Sequence, residues 1–136
     1  MRILLVDDSK LQRWALQKIL EKAGYAALPA ADGEQGLELA RSSAPDLILL
    51  DMILPRMDGP TVLAALKKDA KTADIPVVAL TSLSQKNETK LKSAGAAAFY
   101  QKSELGIEQG AESLIELVRA VLSESSRSKA TGATSA

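Results

Sequence analysis

Short apolar runs recur along the chain at positions 3–6, 47–50, 77–80 and 96–100. Polar residues do not alternate within them, so neither face of such a strand meets water. This is the pattern of parallel strands covered on both sides by helices. Residues 25–30 form a fifth, weaker run. Pro29 has no amide to donate, which assigns that strand to a sheet edge.

Helical patterns fill the intervals. Ser9 is placed to cap a first helix with Leu11, Ala15, Leu16, Ile19, Leu20 and Ala23 turned inward and Gly24 ending it. A second spans 33–43, with Leu37, Leu39 and Ala40 apolar and Pro45 beyond its end. A third follows Gly59 and carries Val62, Leu63 and Leu66. Ser84 starts a fourth that Gly95 ends. A fifth carries Leu114, Ile115, Leu117, Val118, Val121 and Leu122. The order is strand–helix five times over. Right-handed crossovers then predict a three-layer α/β sandwich around a five-stranded parallel sheet. With strand 2 at the edge, the strand order is 2-1-3-4-5 and the topological switch lies between strands 1 and 3.

From position 123 the chain reads SESSRSKATGATSA, small and polar without apolar anchors. The expected division is a domain over 1–123 and a disordered tail over 124–136, too short for an output domain.

Composition narrows the chemistry. One domain suffices for 136 residues. There is no Cys and no His. That removes thiolate catalysis, imidazole acid–base chemistry and any phosphohistidine on this chain. A metal must be held by oxygen, which favours Mg²⁺, Ca²⁺ or Mn²⁺. Lys+Arg and Asp+Glu balance at 17 each, with pI near 6.3. No basic excess serves DNA or a membrane surface. The N-terminal apolar run is four residues, too short for a signal peptide, and no stretch reaches a membrane span. The expected location is cytoplasmic.

Ligands of such sheets bind at the carboxyl ends of the strands, beside the switch. Asp7 and Asp8 follow strand 1, Asp51 follows strand 3, Thr81 and Ser82 follow strand 4, and Lys102 follows strand 5. Asp32 sits at the same end but on the edge strand. Asp46 and Asp74 sit at the opposite end, as solvated or capping residues. Three converging carboxylates repel, and a hard divalent cation resolves the conflict. A carboxylate beside that cation is a competent nucleophile toward phosphorus. Thr81 offers a hydroxyl and Lys102 a cation to the transferred group. Taken alone, each of these residues has an ordinary structural use as a cap or a solvated charge. Their joint placement at one end of the sheet points to Mg²⁺-dependent phosphoryl transfer onto aspartate.

Several motifs carry a resemblance. Val6-Asp7-Asp8-Ser9, the stretch Leu49-Leu50-Asp51-Met52-Ile53-Leu54-Pro55-Arg56-Met57-Asp58-Gly59, Ala79-Leu80-Thr81-Ser82, and Gly95-Ala96 followed by Phe99 and Lys102 resemble the response-regulator receiver domain of two-component signalling. The likeness covers about residues 2–122 and implies the flavodoxin-like (βα)5 sandwich. It implies that Asp51 is the phosphorylated residue. Asp7, Asp8, Asp51 and the Ile53 backbone carbonyl would hold Mg²⁺, with Mn²⁺ as an alternative. Thr81 and Lys102 would bind the phosphoryl group, and Phe99 would be the switch aromatic, with Tyr100 on the other face of its strand.

The donor implied is a sensor histidine kinase or a histidine phosphotransfer protein. The output would be an unknown downstream protein docking on the fourth helix, fifth strand and fifth helix, near Lys90, Lys92, Ser93, Tyr100 and Lys102. No DNA or membrane binding is expected. The chain resembles stand-alone receivers, phospho-accepting modules that catalyse only their own phosphorylation and dephosphorylation. Two departures stand out. Ser103 replaces the family's usual Pro after the Lys. Ile53 and Leu83 are apolar where many relatives are polar, which predicts a long-lived aspartyl phosphate.

Three other readings compete. A haloacid-dehalogenase-type phosphatase would place its nucleophile after strand 1 in an Asp-x-Asp pattern, under a cap. A flavodoxin-like FMN protein would need a Ser/Thr-rich loop there. A pseudo-receiver would bind partners without phosphorylation, and the Ser103 change leaves that reading open.

Overall fold

The computed structural model describes residues 1–81, 94–101 and 108–135. Its elements run β1 (Arg2–Val6), α1 (Lys10–Lys22), β2 (Ala26–Ala30), α2 (Gly33–Ser43), β3 (Leu47–Asp51), α3 (Gly59–Lys68), β4 (Val77–Thr81), β5 (Ala98–Gln101) and α4 (Glu108–Ser135). All strand pairs are parallel, in the order β2-β1-β3-β4-β5, as the sequence pattern predicts. Pro29 lies on the edge strand, opposite Leu5. The helix expected between β4 and β5 lies outside the described residues. Gly95, just before β5, holds a left-handed φ of 109°, a conformation glycine adopts at low cost.

Period-two alternation divides the apolar runs between two cores. Leu4, Val6, Ile48, Leu50, Val77 and Ala79 face α2 and α3, meeting Ala40, Val62, Leu63 and Leu66. Ile3, Leu5, Leu47, Leu49, Val78 and Leu80 face α1 and α4, meeting Leu16, Leu20, Leu114 and Val118. Each buried Leu or Ile contributes about 1.5–3 kcal/mol. Strands β1, β3 and β4, buried on both sides, are therefore firmly held.

The inward stripe of α1 is narrower than its sequence predicts. Leu16 and Leu20 are buried, but Leu11 is 76% exposed and Ala15 is exposed. At 100° per residue Leu11 stands opposite Leu20, so it cannot reach the sheet from the same helix. Tyr100, expected on an output surface, is buried against the α1 and α4 side. Strand alternation turns it there and sends Phe99 to the other core. In α4 Leu122 is buried, and the helical backbone spans Glu108–Ser135. Helix propagation is cheap once a packed segment has nucleated it.

Capping sets where α3 begins. The Asp58 carboxylate accepts the Thr61 N–H at 2.9 Å, and Pro60 occupies the first turn, where a missing amide costs nothing. At the far end the Lys67 ammonium donates to the carbonyls of Ala73 (3.1 Å) and Ile75 (3.0 Å), tying α3 to the entry of β4. Burial pushes its pKa down, and Asp74 opposes that shift.

The hydrogen bonds from Thr61 hold the Asp58 carboxyl below its ordinary value of 3.8, with slight burial opposing them. Its stabilising contribution is therefore complete above that value and is lost as pH falls through the lowered one. Asp58→Ala should cost about 1 kcal/mol at neutral pH, and the two proteins should converge in stability at strongly acid pH. Urea denaturation across pH checks both statements.

Candidate functional site: an acidic pocket at the carboxyl end of the sheet

Because β1 and β3 are neighbours in register, with Val6 opposite Leu50, the residues just beyond them are forced together. Asp7 extends the ladder by donating its N–H to the Ala30 carbonyl at 3.1 Å, and it is fully buried. Asp51 ends β3 and is 3% exposed. Asp8 stands exposed at the mouth. One carboxylate oxygen from each of the three lies within 4.8 Å of the others. Ionised together at that spacing, each pair repels by roughly 3 kcal/mol at an effective dielectric near 20.

The same local device aims both buried acids. Asp7 Oδ1 accepts the Ser9 N–H at 2.9 Å, and Asp51 Oδ1 accepts the Ile53 N–H at 3.0 Å. In each case the carboxylate binds the amide two residues on, a local contact that favours one rotamer. Ser9 also caps α1 by accepting the Gln12 N–H at 3.3 Å. Arg13 donates to the Asp7 carbonyl at 2.8 Å, leaving the carboxylate to the pocket.

The loop after Asp51 folds back beneath it. Arg56 holds a left-handed φ of 66° inside a three-residue turn closed by the Met57 N–H on the Pro55 carbonyl at 2.7 Å. Gly59 then passes directly beneath Asp51. A Cβ there would lie 2.4 Å from Met52 Cα and 2.6 Å from the Asp51 carbonyl oxygen, so no side chain fits. Its N–H instead donates to the Met52 carbonyl at 3.1 Å.

The expected site residues are placed as follows. Asp7, Asp8 and Asp51 come together, with Ile53 next to them in sequence and 56% exposed. Thr81 ends β4, one position beyond Leu80, the partner of Asp51. It continues the row of Val77 and Ala79, on the sheet side where Phe99 packs. Lys102 and Ser103 lie outside the described residues, as do Leu83, Lys90, Lys92 and Ser93. Asp32 caps α2, accepting the Gln35 N–H at 2.8 Å, and Asp46 accepts the Arg2 N–H at 2.8 Å, so both are structural. The role of Asp58 and the close approach of Gly59 escaped the sequence reading. The run Asp58-Gly59-Pro60-Thr61, a capping acid before a proline in the first turn, carried the signal for the cap.

The donor set suits a hard cation: three carboxylates on rigid strand ends and no softer ligand among them. Comparison with known proteins reaches the same place. The family model of the response regulator receiver domain matches residues 3–114. The chain belongs to this family. Receiver domains are signalling modules of two-component systems, acting with histidine kinases or phosphotransfer proteins, and they bind Mg²⁺ at an acidic pocket.

Among relatives, the receiver is 36% identical to PilH of Pseudomonas aeruginosa over 122 residues, covering 89% of this chain and 97% of PilH. It is 34% identical over 101 residues to the polar-differentiation response regulator DivK of Brucella abortus, covering 74% and 82%. It is also 48% identical over 84 residues to RpaA of Synechocystis, a DNA-binding transcriptional regulator. That match covers 62% of this chain and 35% of RpaA, so the chain spans about a third of this relative. Among solved structures, a receiver domain protein of Methanospirillum hungatei superposes with a TM-score of 0.82 at 28% identity, covering 93% of this chain and 97% of that one. NtrX of Brucella abortus gives 0.86 at 27%, covering 96% and 29%. Among the described residues no helix of the receiver is long and apolar enough to cross a membrane.

Gly59→Ala should displace the Asp51–Met52 peptide. The expected cost is about 1–3 kcal/mol of stability, as for other overpacked sites. Amide resonances of Met52 and Ile53 should move while those of α1 stay. Unchanged spectra in this loop would contradict the close approach.

Proposed function

We propose that Asp51 accepts a phosphoryl group from a phosphohistidine on a sensor histidine kinase or a histidine phosphotransfer protein. The observation that carries this reading is the convergence of Asp7, Asp8 and Asp51 within 4.8 Å at the mouth of a rigid sheet. A carboxylate oxygen of Asp51 attacks phosphorus, and the P–N bond to the donor imidazole breaks. The imidazole leaves with the bonding pair and takes a proton from solvent, while Asp51 becomes an acyl phosphate.

Asp7, Asp8, Asp51 and the Ile53 carbonyl are the residues that hold Mg²⁺, or Mn²⁺ in its place. Bound there, the ion supplies the positive charge that offsets both the clustered carboxylates and the incoming phosphoryl oxygens. Thr81 donates its hydroxyl to a phosphoryl oxygen, and Lys102 pairs with the same group. Drawing Thr81 toward the phosphate frees space on the side of the sheet where Phe99 packs, and Phe99 turns into it. The surface built from β5, α4 and the segment between β4 and β5 then presents a different shape to a downstream protein in the cytoplasm. The chain catalyses only its own phosphorylation and dephosphorylation, and the population of its two states is what the partner reads.

The donor has a landing place beside the pocket. Leu11 and Trp14 are 76% and 58% exposed on the start of α1, an unusual outlay of large apolar surface. With Lys10, Arg13, Gln17 and Pro29 they line a concavity of about 570 Å³. An aromatic anchor with cations around it suits an amphipathic helix carrying acidic residues.

Incubation with acetyl phosphate and Mg²⁺ should add about 80 Da, one phosphoryl group, as read by intact mass. The adduct should be absent in Asp51→Asn and after EDTA; an adduct that survives the Asp51 substitution sinks the assignment. The exposed apolar side chain of Ile53 has no group to orient an attacking water. Ile53→Asn should therefore shorten the lifetime of the adduct severalfold, followed as mass decay after removal of acetyl phosphate.

A further inference from the structure

The three acids of the pocket are not held alike. Asp7 and Asp51 are buried, and each accepts an amide two residues on, from Ser9 at 2.9 Å and Ile53 at 3.0 Å. Asp8 stands exposed at the mouth, so its aim rests on the backbone that carries it.

That backbone is held by Arg13, half-buried on the first turn of α1. The guanidinium Nη1 donates to the Asp7 carbonyl at 2.8 Å. This carbonyl belongs to the peptide joining Asp7 to Asp8, and a peptide is a rigid plane. Holding its oxygen therefore sets the direction in which the chain leaves Asp7 and enters Asp8. The Arg13 amide also donates to the Ser9 carbonyl, at 2.8 Å. One residue of α1 thus grips the loop on both sides of Asp8, by its side chain before it and by its main chain after it.

Helix stability does not account for an arginine at this position. The first turn of α1 contains no acid, and a cation there opposes the helix dipole, whose positive end is the N-terminus. Arg13 forms no ion pair among the described residues, where Arg41 and Asp69 make the pair that does form. A guanidinium beside an acidic pocket also has two opposite effects on a cation bound there. Its charge repels the ion. Its hydrogen bond keeps a ligand in place. The two effects predict opposite signs when Arg13 is replaced by a neutral side chain.

We propose that Arg13 is a positioning residue for the metal site. Through the Asp7–Asp8 peptide it keeps the Asp8 carboxylate within reach of the cation that Asp7 and Asp51 share. The inference rests on the reading of this pocket as the Mg²⁺ site, and it adds a residue that touches neither the ion nor the phosphoryl group.

Titration of the full chain with Mn²⁺, followed as loss of the free-ion electron paramagnetic resonance signal, tests it. Arg13→Met removes the donor and the charge but keeps an unbranched stem. It should weaken binding about tenfold, as loss of a hydrogen bond behind a metal ligand does. Arg13→Lys keeps the charge and can make the single bond observed, so it should restore most of the affinity. In an Asp8→Asn background, Arg13→Met should weaken binding no further, because the ligand it positions is gone. Circular dichroism checks that each variant is folded. Equal or tighter binding by folded Arg13→Met overturns the proposal, since only the charge would then be felt. A full further loss in the Asp8→Asn background also overturns it, by marking a general effect on the loop. A wild-type chain that takes up no Mn²⁺ sinks the reading of the pocket and the proposal together, whereas a wild type that binds no better than Arg13→Met sinks the proposal alone.

Discussion

Like charges held together at the ends of two adjacent parallel strands are the constraint on which the rest of this structure depends. Asp7 and Asp51 extend β1 and β3, and the register of those strands leaves the carboxylates no way apart. The repulsion is opposed by what lies behind them. Four rows of Leu, Ile and Val, dry on both faces, anchor the strands between two helix layers. A site of clustered charge needs such a base, because a softer one would relax by spreading the carboxylates and lose its affinity for a cation.

Precision at the pocket is local. Each buried carboxylate is pinned by an amide two residues further on. The chain after Asp51 is led away by a left-handed Arg56 and brought back under it by a glycine with no room for a side chain. Sheet register chooses which residues meet, and these turns choose how they point. Within the same loop Leu54 and Gly59 are buried while the Ile53 side chain projects into solvent.

The two sheet faces carry different duties. Thr81 and Phe99 belong to the α2–α3 side, the one whose core lies under the carboxyl ends of β4 and β5. Tyr100 points the opposite way and is locked against α1 and α4. On that second side the start of α1 leaves Leu11 and Trp14 exposed, away from the core in which Phe99 packs.

Much of this was legible before any coordinates. Dry apolar runs announced a parallel sheet, Pro29 assigned the edge, and the acids following runs 1 and 3 named the pocket. Those features are written into consecutive residues, through strand burial, a missing amide and strand-end position. Other features depended on partners distant in sequence. Leu11 was counted with the inward residues of α1, although helix geometry sets it opposite Leu20, and it faces water. Strand alternation set Tyr100 opposite Phe99, but only the second core encloses it and takes it off the expected output surface. The demand for glycine at position 59 arises from the backbone of Met52, which lies where a side chain would go. Sequence alone determined which faces each element must hide and which charges end its strands. Tertiary structure decided what fills or leaves open the space between elements, since that space is set by side-chain volumes contributed from several distant segments at once.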